Sequence, residues 1–262
     1  MKIEFFADYP ADIEAERFAA LTRGLHAASD TVGAAVFGGA SELPTGAICF
    51  RGVNERFRSL SLLRDMSIPC AVVQDPVRPW FTGSAVCPNL PDLIAELQGH
   101  MSHVRRWLVF GQSSGGYAAL HASRLLPASL AVAFSPQTFD DRVMQGRIGH
   151  PLAFRKSFVQ EPIMDLAELF ANSPLQNPAL VVSSINETEN PVESFFWLDH
   201  MHWARIAHIP SVRIFLLGTQ NHSLLYRKGA FFASVLADLA RQDSFGLDKA
   251  SGWLAHRLYH SA

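Results

Sequence analysis

Apolar, β-branched runs recur along the chain and alternate with stretches whose apolar residues return every three or four positions. The runs at 32–38 (VGAAVFG), 46–51 (GAICFR), 69–74 (PCAVVQ), 106–110 (RWLVF), 129–134 (SLAVAF), 179–184 (ALVVSS) and 211–217 (SVRIFLL) read as strands. Residues 2–6 (KIEFF) add an edge strand. Helical periodicity fits 11–28, 90–103, 115–126, 162–171, 197–208 and 223–241. In the last of these, Leu224, Phe231, Phe232, Val235, Leu236 and Leu239 make one apolar stripe. Strands and helices alternating in this way predict a mostly parallel sheet covered by helices on both faces. Residues 135–178 break the rhythm, being too long for a simple crossover. They combine Arg142, Arg147, Arg155 and Lys156 with an apolar stretch from Ile163 to Phe170, and predict a small helical cap at about 138–175. Nothing marks a domain boundary, so residues 1–262 are expected to form one domain.

Composition narrows the class without changing this outline. Hydrophobic residues make up 48% and charged residues 18% of 262, which excludes a disordered chain. A net charge of -2 with no Lys/Arg-rich run gives no field for nucleic acid. Cys49, Cys70 and Cys87 are too few and wrongly spaced for a disulfide framework or zinc knuckle, and buried thiols are expected. No stretch approaches 18 uninterrupted apolar residues, so no membrane span is expected. The first residues, MKIEFFADYPADIEAE, turn acidic too soon for a secretory leader, and a cytoplasmic location is the expectation.

The chemistry concentrates in RRWLVFGQSSGGYAAL, residues 105–120. A buried strand ends in Gly111, Gln112, Ser113, Ser114, Gly115 and Gly116 and passes directly into an Ala-rich helix. Glycines at a helix start cost about 1 kcal/mol each against alanine, so another demand must hold them there. A serine exposed on a sharp strand-to-helix turn makes that demand, because its neighbours must be small. The pattern Gly111-x-Ser113-x-Gly115 resembles the nucleophile elbow of the α/β-hydrolase superfamily. The resemblance covers roughly 46–241 as an order of elements. Within the superfamily the chain is most similar to small bacterial hydrolase-like proteins found in polysaccharide and cell-surface glycan contexts. The residues that carry this likeness are SSGGYAAL, Ser135-Pro136-Gln137, and Asp75, Pro76 and Trp80.

The resemblance implies a three-layer α/β-hydrolase fold with a mostly parallel central sheet and a small helical cap. It implies Ser113 as nucleophile and the N–H of Ser114 as one oxyanion donor, the Ser114 side chain having no chemical part. The second donor should follow strand 46–50, where Val53 comes first and Gly52 next, although Gly52 can equally serve only to turn the chain. Arg51 is expected to anchor this loop. The superfamily order is nucleophile, acid, histidine, which nominates His222, on the loop between strand 211–217 and the terminal helix.

Two carboxylates compete for the acid. Asp199 heads the helix at 197–208 behind the apolar Phe195, Phe196, Trp197 and Leu198, whereas Glu187 follows strand 179–184, the commoner superfamily position. Glu189, Glu193 and the lack of any acid are further alternatives, and Asp199 can also serve only as a helix N-cap or first-turn acid.

Trp80 and Phe81 either wall the substrate pocket or plug the core, and Gln137 can orient a substrate carbonyl or hydroxyl. Asp75 is expected to cap the turn at Pro76. His121, His150, His200, His202 and His208 form no metal-ligand spacing, and neither metal nor cofactor is expected. The expected activity is serine hydrolysis of a carboxylic ester or thioester, on a small-molecule or glycan-linked acyl substrate. Acyl transfer to a glycan is the alternative, as is a non-catalytic accessory protein of glycan or surface-protein export.

Overall fold

The inner apolar runs become strands because neighbouring elements cover both of their faces. The structure, a computed structural model, describes residues 1–39, 41–53, 55–57, 60–140, 162–185, 195–219 and 222–260. Among these, the strands are β1 (Lys2–Phe6), β2 (Val32–Phe37), β3 (Thr45–Phe50), β4 (Cys70–Val73), β5 (Arg106–Gln112), β6 (Ser129–Phe134), β7 (Ala179–Ser184) and β8 (Val212–Leu217). The helices are α1 (Ala15–Ala27), α2 (Leu90–His100), α3 (Ser114–Leu125), α4 (Leu166–Asn172), α5 (Phe195–Ile206), α6 (Leu224–Arg227), α7 (Gly229–Ala240) and α8 (Leu247–His260). The strands form one sheet in the order β1-β2-β4-β3-β5-β6-β7-β8, parallel throughout except for the antiparallel pair β2 and β4.

The fully apolar strands owe their composition to alternation across the sheet. Trp107 and Val109 of β5 join a buried layer with α2 and α3, while Leu108 and Phe110 join the opposite layer with α1, α7 and α8. Every residue of β2, β3, β4, β6 and β7 is buried, whereas the edge strands β1 and β8 carry exposed positions. Burial on both faces is what a run without polar alternation requires.

Helix starts follow local chemistry. The Asn89 side chain accepts the Asp92 N–H at 3.1 Å to cap α2, and the Asp165 carboxylate accepts the Ala167 N–H at 2.9 Å to cap α4.

Three details depart from the expected pattern. The helix expected over 223–241 breaks at Lys228 (φ -111°, ψ 37°) into α6 and α7. Helix α8 follows it without having been predicted; only Ala250 and Leu254 of it are buried, a stripe too thin to stand out among its polar residues. The central part of the expected cap, 141–161, lies outside the described residues. Helix α4 falls within the expected cap range, and its Leu166 and Phe170 share the buried layer of α3.

The sheet places the elbow at its carboxyl edge. Phe50 of β3 pairs with Gly111, and Gln112 pairs with Phe134 of β6, so β5 ends between two strands that stop level with it. Helix α3 then turns back across β3. A Cβ built on Gly115 would lie 2.3 Å from the Phe50 carbonyl oxygen, a contact no side chain can make.

Gly115→Ala should therefore destabilise the protein by about 1–3 kcal/mol or more through overpacking against backbone. Gly24→Ala, on exposed helix with nothing within 4 Å, should gain about 0.5–1 kcal/mol. Urea unfolding of the two variants reads both, and equal stability of G115A and the parent would refute the crossing. His121 of α3 is 6% exposed, and burial, then the Arg124 charge, lowers its pKa to about 4. The unfolded chain therefore takes up this proton near its ordinary 6.5 while the folded chain resists it to about 4. Stability should fall as pH drops through that window, and His121→Gln should flatten the fall. A pH series of unfolding midpoints with identical slopes in both proteins would exclude it.

Candidate active site

Ser113 has φ 59° and ψ -117°, a backbone conformation that costs a non-glycine residue about 1–3 kcal/mol. Its neighbours hold it there. The Ser113 N–H donates to the Phe134 carbonyl at 2.9 Å, and its own carbonyl accepts the N–H groups of Tyr117 (3.0 Å) and Gln137 (3.3 Å). The side chain is partly exposed at the mouth of the turn, as an elbow serine must be.

His222 lies on the loop between β8 and α6. Its Nδ1 stands 2.8 and 3.0 Å from the two carboxylate oxygens of Asp199, on α5. Asp199 is only 2% exposed, so this contact forms away from water and fixes the ring's tilt and the nitrogen that carries the proton. Ser113, Asp199 and His222 come in the expected chain order. Glu187, the competing acid, lies outside the described residues, as do Glu189 and Glu193.

Gln112 joins the histidine loop to the elbow. Its Nε2 donates to the His222 carbonyl at 2.7 Å, and its Oε1 accepts the Leu225 N–H at 3.2 Å. The residue immediately before Ser113 thus grips the backbone on both sides of Ser223. Sequence reasoning passed over Gln112, although a polar residue inside a buried strand end was a usable signal. The side chain is 1% exposed and both ends of its amide are satisfied.

The loop after β3 differs from expectation in its details. The Gly52 N–H donates to Glu55 Oε2 at 2.5 Å, which removes it as an oxyanion donor in this conformation. The Val53 N–H donates to the Ser114 hydroxyl oxygen at 3.1 Å. The Ser114 side chain, expected to be idle, therefore occupies the N–H that was expected to serve the oxyanion. Arg51 anchors the loop, as expected: its Nε donates to the Arg56 carbonyl at 2.7 Å and its guanidinium lies over the Tyr226 ring, 5.2 Å from the centroid. Glu55 also accepts the Tyr226 hydroxyl. Burial pushes the Glu55 carboxyl up, against Arg51, Tyr226, the Gly52 N–H and His222, which favour its charge. Burial likewise raises the Tyr226 hydroxyl well above its usual range.

Trp80 and Phe81 both belong to the buried core cluster of the α2/α3 layer. Each is 1% exposed, and Phe81 stacks edge-on against Phe50 at 5.3 Å, so the core takes both rings. Asp75 caps the turn before them, accepting the N–H groups of Val77 (3.0 Å) and Arg78 (2.9 Å) and the Ser84 hydroxyl (2.8 Å). Gln137 sits beside the Ser113 carbonyl, 7% exposed, and its buried Oε1 has no hydrogen-bond partner among the described residues. His202 is structural: its Nδ1 accepts the Thr138 N–H at 3.0 Å. Among the described residues, no group of three or more His, Cys, Asp or Glu side chains is placed to hold a metal ion, and no helix is long and apolar enough to cross a membrane. A cavity of about 330 Å³ lined by Ser61, Leu62, Arg64, Asp65 and Gly229 contains none of these residues.

No protein-family model matches the chain, and no curated protein matches it. Solved structures do. An esterase of Pyrococcus furiosus, Pf2001, superposes with a TM-score of 0.51 at 15% identity, over 79% of this chain and 84% of that one. The fluorophosphonate-binding serine hydrolase FphF of Staphylococcus aureus gives 0.51 at 12% identity, over 76% and 84%. The glycosylation-associated Gap123 complex of Streptococcus agalactiae gives 0.52 at 15%, over 79% of this chain and 44% of that one. At such identities the likeness is one of fold. The chain has a three-layer α/β fold, a mostly parallel sheet between helical layers, like that of the Pyrococcus esterase and the Staphylococcus serine hydrolase.

Proposed function

We propose that the chain is a serine hydrolase that cleaves a carboxylic ester or thioester through an acyl-enzyme. The observation that carries this reading is the buried Asp199 carboxylate on His222 Nδ1, in a loop clamped by Gln112 to the strained Ser113 turn. Ser113 Oγ attacks the acyl carbon while His222 Nε2 takes its proton, and Asp199 holds the imidazolium that forms. The Ser114 N–H faces the developing oxyanion. The Val53 N–H joins it once the Ser114 hydroxyl rotates away from the contact it now makes. His222 returns the proton to the leaving group, and a water activated by the same imidazole releases the acid. Gln137 Oε1, without a partner among the described residues, supplies a polar contact for the substrate next to the nucleophile. In this reading residues 1–262 form one domain, with an insertion of about 138–175 over the carboxyl edge of the sheet.

The same residues would serve acyl transfer to a glycan hydroxyl where water is kept out. A non-catalytic accessory role is favoured by one observation, the internally satisfied Val53 N–H, and fits the fold likeness to a glycosylation-associated complex. Labelling with a serine-reactive phosphonate separates the readings: a folded protein that does not take the label at Ser113 belongs to the accessory class.

For the hydrolase, Ser113→Ala and His222→Ala should each remove most turnover of an activated ester while folding is retained. A residual rate from binding and oxyanion donors alone is compatible with this. Asp199→Asn should lower kcat at least about 100-fold, and Glu187→Gln about threefold or less. Steady-state kinetics on one ester decide the matter. A large loss in E187Q with a near-normal D199N would reverse the assignment of the acid, and unchanged rates in S113A and H222A would end the proposal.

A further inference from the structure

The loop after β3 and the helix after His222 meet in a buried polar cluster that the catalytic reading does not use. Its members are Arg51, Glu55 and Tyr226. Arg51 is 2% exposed, the Glu55 side chain 14%, and their charged groups approach to 3.8 Å. One carboxylate oxygen, Glu55 Oε2, receives the Gly52 N–H at 2.5 Å, the Tyr226 hydroxyl and the Arg51 guanidinium charge. Gly52 immediately precedes Val53, and Tyr226 lies four residues after His222 on α6. A single oxygen therefore bridges the loop that carries an oxyanion donor and the helix that follows the base.

A buried carboxylate and guanidinium are costly to desolvate, and an apolar pair of similar volume is often as stable. Stability alone thus accounts poorly for this cluster. Geometry accounts for it better. Two peptide N–H groups in sequence, Gly52 and Val53, point to different acceptors, Glu55 Oε2 and Ser114 Oγ. Capturing the first fixes the peptide plane that carries it, and so restricts the direction of the second.

We infer that Glu55 is a positioning residue: its carboxylate, braced by Tyr226 and Arg51, aims the Val53 N–H at the oxyanion and couples the oxyanion loop to the helix behind the base. The catalytic half of this inference rests on the serine-hydrolase reading; the loop-holding half does not. Loss of one oxyanion donor lowers kcat by about 10²–10³, and a donor displaced by about 1 Å loses a part of that. Tyr226 must remain protonated to donate, and its raised hydroxyl keeps it so.

The test compares Glu55→Ala, Glu55→Gln and Tyr226→Phe with the parent by amide hydrogen exchange and by ester kinetics. Exchange at Gly52 and Val53 should quicken at least about tenfold in E55A and Y226F, at an unchanged unfolding midpoint in Y226F. E55Q, whose amide oxygen still accepts the Gly52 N–H, should keep most of the protection. On an activated ester, E55A should lose about 10- to 100-fold in kcat with KM within about threefold, and E55Q should recover most of the loss. Unchanged exchange in both E55A and Y226F overturns the inference, as does a parental kcat in E55A of a protein that hydrolyses the ester. Should the parent neither hydrolyse ester nor take the phosphonate, the hydrolase reading falls and exchange alone decides the role of Glu55. Should E55A not fold, Y226F carries both measurements, because it removes one hydrogen bond and no charge.

Discussion

The crossing of α3 over β3 is the constraint on which the site depends. Gly115 passes so close to the Phe50 carbonyl that any side chain there would collide with backbone. That approach lets the chain reverse within a single residue, and the single residue is Ser113, held at positive φ by its hydrogen bonds to Phe134, Tyr117 and Gln137. The strain of about 1–3 kcal/mol is offset by the surrounding sheet, which is buried on both faces and has little freedom to relax. A turn of this kind on an edge strand would open; between β3 and β6 it cannot.

Around the elbow, two loops are fixed by three side chains rather than by one another's backbones. Gln112 holds the loop of His222, Asp199 holds the imidazole, and Glu55 holds the peptide before Val53. Each of the three is buried or nearly so. In that environment a satisfied hydrogen bond is worth more than in water, and a broken one leaves a desolvated group behind. Loops at the carboxyl edge of a parallel sheet otherwise have few contacts, and these polar anchors supply the rigidity that reactive geometry needs. The Ser114 hydroxyl ties the same loop to the start of α3 by accepting the Val53 N–H.

Much of this was legible along the chain. All eight strands match the expected segments to within a residue or two, the inner ones because a strand covered on both faces must be apolar throughout. The elbow was legible for a related reason: glycines that helix propensity disfavours, placed two residues either side of a serine, suit a sharp strand-to-helix turn and little else. His222 lies on the loop after the last strand, where the order of elements put it. Helix α8 was missed because its buried side is narrow, and the break at Lys228 because nothing in the local sequence demands it.

What the linear pattern could not decide were matters of proximity between distant residues. Trp80 and Phe81 read equally as pocket wall or core plug; that both rings are buried, with Phe81 against Phe50, 31 positions before it, could not be read along the chain. Asp199 and Glu187 both stood as candidates along the chain; α5 sets the Asp199 carboxylate on His222 Nδ1, 23 positions away, while Glu187 lies outside the described residues. Gln112 and His222, and Glu55 and Tyr226, are joined across 110 and 171 positions. The sequence by itself determined the sheet, its helical layers and the elbow, since periodicity and glycine sterics act over a few residues. Only the tertiary structure decided which polar groups share a bond, because a hydrogen bond depends on tenths of an ångström between atoms that the chain brings together last.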